Sequence, residues 1–135
     1  MSSSPAETEA RIRALFAAFA ARDEAGMLAL MHPEGELFAQ PTAEQTGRRE
    51  PYRGAEGFRA YLRDVDRVWE RFAVDPGDLR VAGGGAMAFG WVEGTPRGGE
   101  PQVRVPCIWV IRERDGLIFS IKVARTAAEA QRLAR

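Results

Sequence analysis

Few side chains in this sequence combine reactive chemistry with a placement that could use it. Glu93 is the foremost. It lies in the run Ala86–Gly94, whose alternation sets Phe89, Trp91 and Glu93 on one side and Ala88, Gly90 and Val92 on the other. A carboxyl among aromatics loses water, which raises its pKa and makes it a usable general acid or base. Tyr61 projects from the apolar stripe of a long helical segment, where its hydroxyl either orients a ligand or satisfies a buried partner. Arg125 leaves the last alternating run on the side of Ile121 and Val123, within reach of a ligand anion or of Glu93. Gln40 can polarise an oxygen but takes no proton near neutral pH. A structural reading stands beside each role: a wet strand end for Glu93 and a rim ion pair for Arg125.

Other reactive groups are weaker. His32 is the single histidine, so it makes no metal site by itself, and before Pro33 it reads as a helix-end residue. Cys107 is the single cysteine, which excludes an intramolecular disulfide and reads as a packing residue. Gly83-Gly84-Gly85 is a turn and not a phosphate loop, since no helix follows it and it lacks the Lys and Ser or Thr of that motif. No residue pattern calls for a metal or a cofactor.

These groups need a scaffold, and its class is legible. The chain of 135 residues reads as one domain over 1–135, with Met1 to Pro5 a frayed polar start. Apolar content of 45% and charged content of 28% are those of an ordinary globular chain. The formal net charge is zero, so no overall field favours nucleic acid or an anionic membrane. The lone cysteine and the lack of a secretory or membrane-spanning apolar run point to the cytoplasm.

A first helix is expected over Ala6–Ala21, with Ile12, Leu15, Phe16 and Phe19 forming its apolar stripe. Asp23 caps a second short helix that His32-Pro33 ends. Glu36–Gln40 reads as a strand carrying Phe38. Pro41–Pro51 reads as a polar loop, with Gln45 and Tyr52 placed to close over a pocket. The longest helix runs from Gly54 to Phe72, with Tyr61 and Trp69 on its stripe. Strands follow. Pro76-Gly77 marks the first as an edge or bulged strand, and Thr95–Pro101 is a flexible loop. A short Ala-rich helix starts at Thr126. Helices followed by antiparallel strands imply an α+β fold with helices packed on one face of a sheet.

The organising element is the hairpin Val103–Val123, turning at Asp115-Gly116. Its first run is apolar on both faces, which implies a sheet covered on both sides. A two-residue turn pairs Val110 with Ile121 and Ile108 with Val123, and places Trp109 opposite Lys122, where a cation over the indole fits. A bulge at Gly116 would shift the register by one and swap the faces. In the first register Ile108, Val110, Phe119, Ile121 and Val123 face inward with Phe16, Phe19, Phe38, Tyr61, Trp69, Phe89 and Trp91. Such a lining suits a small hydrophobic or aromatic ligand.

Three segments in their order and spacing resemble the nuclear transport factor 2 superfamily, in its SnoaL-like branch: Ala20-Ala-Arg-Asp23, Tyr52-Arg-Gly-Ala-Glu-Gly-Phe58, and the hairpin tip Arg114-Asp-Gly116. The match spans about Arg11 to Arg125. The resemblance implies a cone-shaped, half-open barrel, with three N-terminal helices in the concave face of a curved, mixed, mainly antiparallel sheet. It also implies an apolar pocket and a homodimer through the outer sheet face, here Trp109, Ile111 and Lys122.

Enzymes of that superfamily include ketosteroid isomerases, limonene epoxide hydrolase, scytalone dehydratase and polyketide cyclases. The isomerase pattern places a carboxylate base where Gln40 stands, a helix-one hydroxyl where Leu15 stands, and a hairpin acid where Ile108 stands. All three are absent. The dehydratase's two histidines and the hydrolase's Asp-Arg-Asp set are absent too. Two functions remain open. One is a pocket protein that binds a small hydrophobic ligand or acts on it by isomerase-, cyclase- or hydrolase-like acid–base chemistry, with Glu93 and Tyr61 as the catalytic pair. The other is a non-catalytic dimeric module that binds a ligand or a protein.

Overall fold

A computed structural model describes residues 3–98 and 101–133 of the chain. Helix α1 (Pro5–Ala20) starts where fraying was expected. Ser4 and Glu7 form a reciprocal capping box, and Pro5 occupies the first turn, where its missing N–H costs nothing. The same expectation for Met1 and Ser2 lies outside the described residues. Ile12, Leu15 and Phe19 are buried, and Phe16 is half-buried beside them. Arg22 takes a positive φ of 53°, and Asp23 then caps α2 (Glu24–Leu30) by accepting from the Gly26 N–H at 3.0 Å.

The first strand, β1 (Met31–Ala39), begins five residues before the expected start and includes His32-Pro33. The extended bias before a proline suits the opening of a strand as well as the end of a helix. An irregularity between Met31 and Glu36 absorbs the proline. The expected polar loop begins instead as α3 (Gln40–Thr46), with Pro41 in its first turn and Gly47 closing it at φ 77°. Then come β2 (Tyr52–Arg53) and α4 (Gly54–Val68), which buries Phe58, Tyr61 and Val65. That helix stops four residues short of Phe72, because Trp69 turns extended and opens β3 (Trp69–Ala82). The remaining strands are β4 (Gly85–Pro96), β5 (Val103–Arg114) and β6 (Leu117–Ala124), and α5 (Ala127–Leu133) follows. The loop expectation at Gly99 and Glu100 lies outside the described residues.

Among the described residues six strands form one open sheet in the order β2-β1-β6-β5-β4-β3, in which only β1 and β6 run parallel. Among the described residues five helices accompany the sheet, so the α+β architecture expected from the sequence is the one found. β3 is the edge strand that Pro76-Gly77 implied. A bulge sets Gly77 and Asp78 together opposite Phe89, and a Cβ on Gly77 would lie 2.4 Å from the Phe89 carbonyl oxygen.

The hairpin departs from the expected register. Asp115 and Gly116 do form a two-residue turn, both at positive φ, and Arg114 pairs with Leu117. Phe119 then bulges out, because Glu113 pairs with Ile118 and Arg112 with Ser120. Beyond it Ile111 meets Ile121, Val110 meets Lys122, Trp109 meets Val123 and Ile108 meets Ala124. The faces therefore swap: Cys107, Trp109 and Ile111 join the main core, and Ile108 and Val110 turn outward. Helix α5 covers that outer patch, with Ala130 packed beside Val110 and Ala124.

Candidate functional site

Between α1 and the sheet lies an apolar cavity of about 50 Å³. Leu15, Phe16 and Phe19 of α1 form one wall, and Leu37, Ala39, Trp109, Ile121 and Val123 of the sheet form the other. Met27, Val74 and Tyr61 complete it. The inward residues of β1 are the alternate ones, so Leu37 and Ala39 reach the cavity and Phe38 does not. Phe16 meets Trp109 edge-on with ring centroids 5.8 Å apart, and Phe19 stacks on Tyr61 at 6.1 Å.

None of the eleven lining residues carries a charge, and Tyr61 supplies the one hydroxyl. Burial pushes the Tyr61 phenol up to about 12, and the neighbouring Thr42 hydroxyl offsets part of that rise. Tyr61 is therefore a neutral hydrogen-bond donor at physiological pH. Thr42 in turn accepts from the indole N–H of Trp69 at 3.2 Å. An indole N–H only donates, so Thr42 is the acceptor in this bond. Tyr52 lies edge-on to Tyr61 at 5.4 Å and donates to Asp64 at 2.6 Å.

Several residues expected in the pocket stand elsewhere. Phe89 and Trp91 are each 38% exposed on the outer face. Glu93 shares their side and pairs with Arg104 at 2.8 Å, with its side chain 45% exposed. The Arg104 guanidinium lies 4.1 Å from the Trp91 ring centroid. β4 alternates as its sequence implies, but with the opposite face inward: Ala88 and Val92 are the buried set. Phe119 contacts His32 at 5.3 Å and lies under Arg114 at 3.7 Å. Trp69 is buried at the α4–β3 junction against Phe72. Gln40 accepts from the Arg125 N–H at 3.1 Å, and the Arg125 guanidinium pairs with Glu44 at 2.9 Å, so Arg125 does not meet Glu93.

Lys122 pairs with Glu36 at 2.9 Å and not with Trp109, which faces the interior. His32 accepts from the Glu34 N–H through Nδ1, and its Nε2 lies 3.5 Å from Asp115. Burial pushes the Cys107 thiol up to about 11; Arg125 lowers it and Glu44 raises it, and the balance leaves an unreactive thiol. Among the described residues no group of three or more His, Cys, Asp or Glu is placed to hold a metal. No described helix is long and apolar enough to cross a membrane.

Met27, Leu37, Ala39 and Val74 line the cavity without having been expected there, and Trp109 lines it as the shifted register requires. Leu37 and Ala39 carried a usable signal, the two-residue period of β1. Trp109 faces inward in the register that a bulge at Gly116 would give, and the bulge that produces it lies at Phe119 instead.

Residues 12–121 match the family model of the SnoaL-like domain. No curated protein matches the chain. Among solved structures, an NTF2-like protein of unknown function from Burkholderia pseudomallei is 20% identical, with 95% of this chain and 97% of that one covered and a TM-score of 0.79. TerC, co-crystallised with polyporic acid, is 22% identical over 95% of this chain and 98% of its own, with a TM-score of 0.78. A hypothetical protein with a ketosteroid isomerase-like fold from Catenulispora acidiphila, in complex with trimethylamine, is 17% identical over 87% and 85%, with a TM-score of 0.72. At these identities the likeness is one of fold.

Proposed function

The chain belongs to the SnoaL-like family, and from that premise we propose that it binds a compact, largely apolar small molecule in its interior, anchored by a hydrogen bond from Tyr61. The observation that carries this reading is the cavity itself: ten lining residues without a hydroxyl or a charge, and one buried hydroxyl. A neutral phenol in apolar surroundings donates to a carbonyl or ether oxygen more strongly than it would in water. Acid–base catalysis gains no support from this arrangement, since no lining residue is a carboxylate or a histidine. Glu93, on the outer face, serves its ion pair with Arg104.

Drug-sized pockets measure about 300–1,000 Å³. At about 50 Å³ the cavity admits a few heavy atoms, and a larger ligand requires its walls to part. Native mass spectrometry of the freshly purified protein tests the reading. An added mass that denaturation releases, and that the Tyr61→Phe variant carries at lower occupancy, supports it. A bare protein that takes up neither cyclohexanone nor indole overturns it.

The second reading is a homodimeric module whose working surface is the outer sheet face. It rests on the exposed pair Phe89 and Trp91, with Arg80 5.3 Å from the Phe89 centroid and Arg104 over Trp91. The dimer face moves accordingly from Trp109 and Ile111, which are buried, to Phe89, Trp91 and Ile108. The two readings are compatible, because the cavity and the patch lie on opposite faces of the sheet.

A further inference from the structure

On the outer face, strands β1, β6 and β5 and the end of α5 enclose a groove of about 200 Å³. Its position follows from the bulge at Phe119. That bulge sets Ser120 opposite Arg112 on β5, while Glu36 pairs with Ser120 from the other side. The next row is Val110, Lys122 and Phe38. Arg112, Arg114, Lys122 and Ser120 thus converge on one opening, with Val110, Leu133 and Phe119 as its apolar parts.

The charge around the groove is unbalanced, although the whole chain is neutral. Two carboxylates line it, Glu36 and Glu113, and each already has a cation outside it. Glu36 meets Arg53 at 2.7 Å as well as Lys122, and Glu113 pairs with Arg11. Arg112 and Arg114 form no ion pair among the described residues. The nearby Asp115 faces His32. Three lining cations therefore stand against two lining carboxylates, each of which also meets a cation outside the groove. Lys122 is largely buried, with its side chain 16% exposed, so solvent screens its charge less than that of a surface lysine. Ser120, 7% exposed, adds a hydroxyl donor.

We propose that this groove binds a small organic carboxylate, with its oxygens toward Arg112, Lys122 and Ser120 and its apolar end against Val110, Leu133 and Phe119. The guanidinium fork matches a carboxylate in two parallel bonds, and the apolar parts favour an anion with a hydrophobic tail over a bare inorganic one. The site is independent of the interior cavity, from which it is separated by the sheet.

Benzoate is the probe, and inorganic phosphate is the control. Lys122 is the chain's one lysine, so acetylation of its ε-amine, located by peptide mass mapping, reports on this groove alone. Benzoate is expected to slow that acetylation and to shift the amide resonances of Ser120 and Arg112 in the folded protein. Arg112→Gln, at an exposed position, should weaken benzoate about tenfold, the loss of one charge-assisted contact. An unchanged affinity in that variant overturns the proposal, as does a shift at Tyr61 in place of Lys122. Phosphate binding as tightly as benzoate overturns the assigned ligand class.

Discussion

The indole of Trp69 donates to the Thr42 hydroxyl at 3.2 Å, which joins the start of β3 to α3. Both residues are buried, and α3 buries little else besides Pro41. Thr42→Val keeps the side-chain shape and removes the acceptor. An orphaned buried donor costs about 1–3 kcal/mol, so this variant should unfold at lower urea, and Thr42→Ser should not. Adding Trp69→Phe to Thr42→Val should cost less than the two single changes together. Equal urea midpoints for wild type and Thr42→Val would mean that α3 is held by other contacts.

Alkaline pH should expose the two tyrosines. The unfolded chain releases the Tyr61 proton near 10, and the folded chain holds it to about 12, chiefly through burial. The unfolded state therefore binds fewer protons in that window, so the stabilisation is whole below 10 and is lost as pH rises through 12. Tyr52 is raised as well, by burial and by its bond to Asp64. Tyrosinate absorbance should stay absent until unfolding begins, and Tyr61→Phe should show a shallower alkaline loss of stability. A native protein titrating both phenols near 10 would contradict their burial.

At acid pH the partner is Glu36. Its hydrogen bond to Lys122 outweighs desolvation and holds its carboxyl below the usual 4.5. The folded state then binds fewer protons than the unfolded one, so this stability is present above 4.5 and is lost as pH falls below it. The group is partly exposed, which keeps the effect under about 1 kcal/mol. Urea midpoints of Glu36→Gln should vary less with pH across that range than those of the wild type.

The parts of the fold legible in the sequence were those set by local chemistry. Asp23 marks a cap, Pro76-Gly77 an edge bulge and Asp115-Gly116 a two-residue turn, and each is where the residue types demanded. α3 was not legible because it is short and polar, and two buried residues make no periodic signal. The site was less legible than the fold on two strands. Phe119 carries no mark of a bulge, yet its extra position exchanges the faces of β5 beyond it, moving Trp109 into the cavity and Ile108 and Val110 out. On β4 the same fault had another source. Phe89 and Trp91 are the large apolar residues and so point to a lining role, but the smaller Ala88 and Val92 pack the interior.

Glu113 ties the hairpin to α1. Its side chain is 3% exposed, accepts from Thr8 at 2.6 Å and pairs with Arg11. Removing one partner of a buried pair leaves the other uncompensated, and Glu113→Ala should cost about 3 kcal/mol by urea denaturation. Glu113→Gln keeps an acceptor for Thr8 and should cost less. A Glu113→Ala variant as stable as the wild type would show that α1 docks through its apolar stripe alone.

Two tryptophans on neighbouring strands separate the interior from the surface. Trp109 is 3% exposed and touches the cavity, whereas Trp91 is 38% exposed and touches none of it. Trp109→Arg buries an unpaired charge and should give a protein that fails to fold. Trp91→Asp removes an exposed ring, so its stability should stay within about 0.5 kcal/mol of wild type. In the proposed dimer the same change puts an unpaired carboxylate at the interface, and sedimentation should show monomers. Folded Trp109→Arg monomers beside intact Trp91→Asp dimers would restore the unbulged register, and with it the inward placement of Ile108. A folded Trp91→Asp that sediments as the wild type does would remove Phe89 and Trp91 from any dimer face while leaving the interior cavity and Tyr61 untouched.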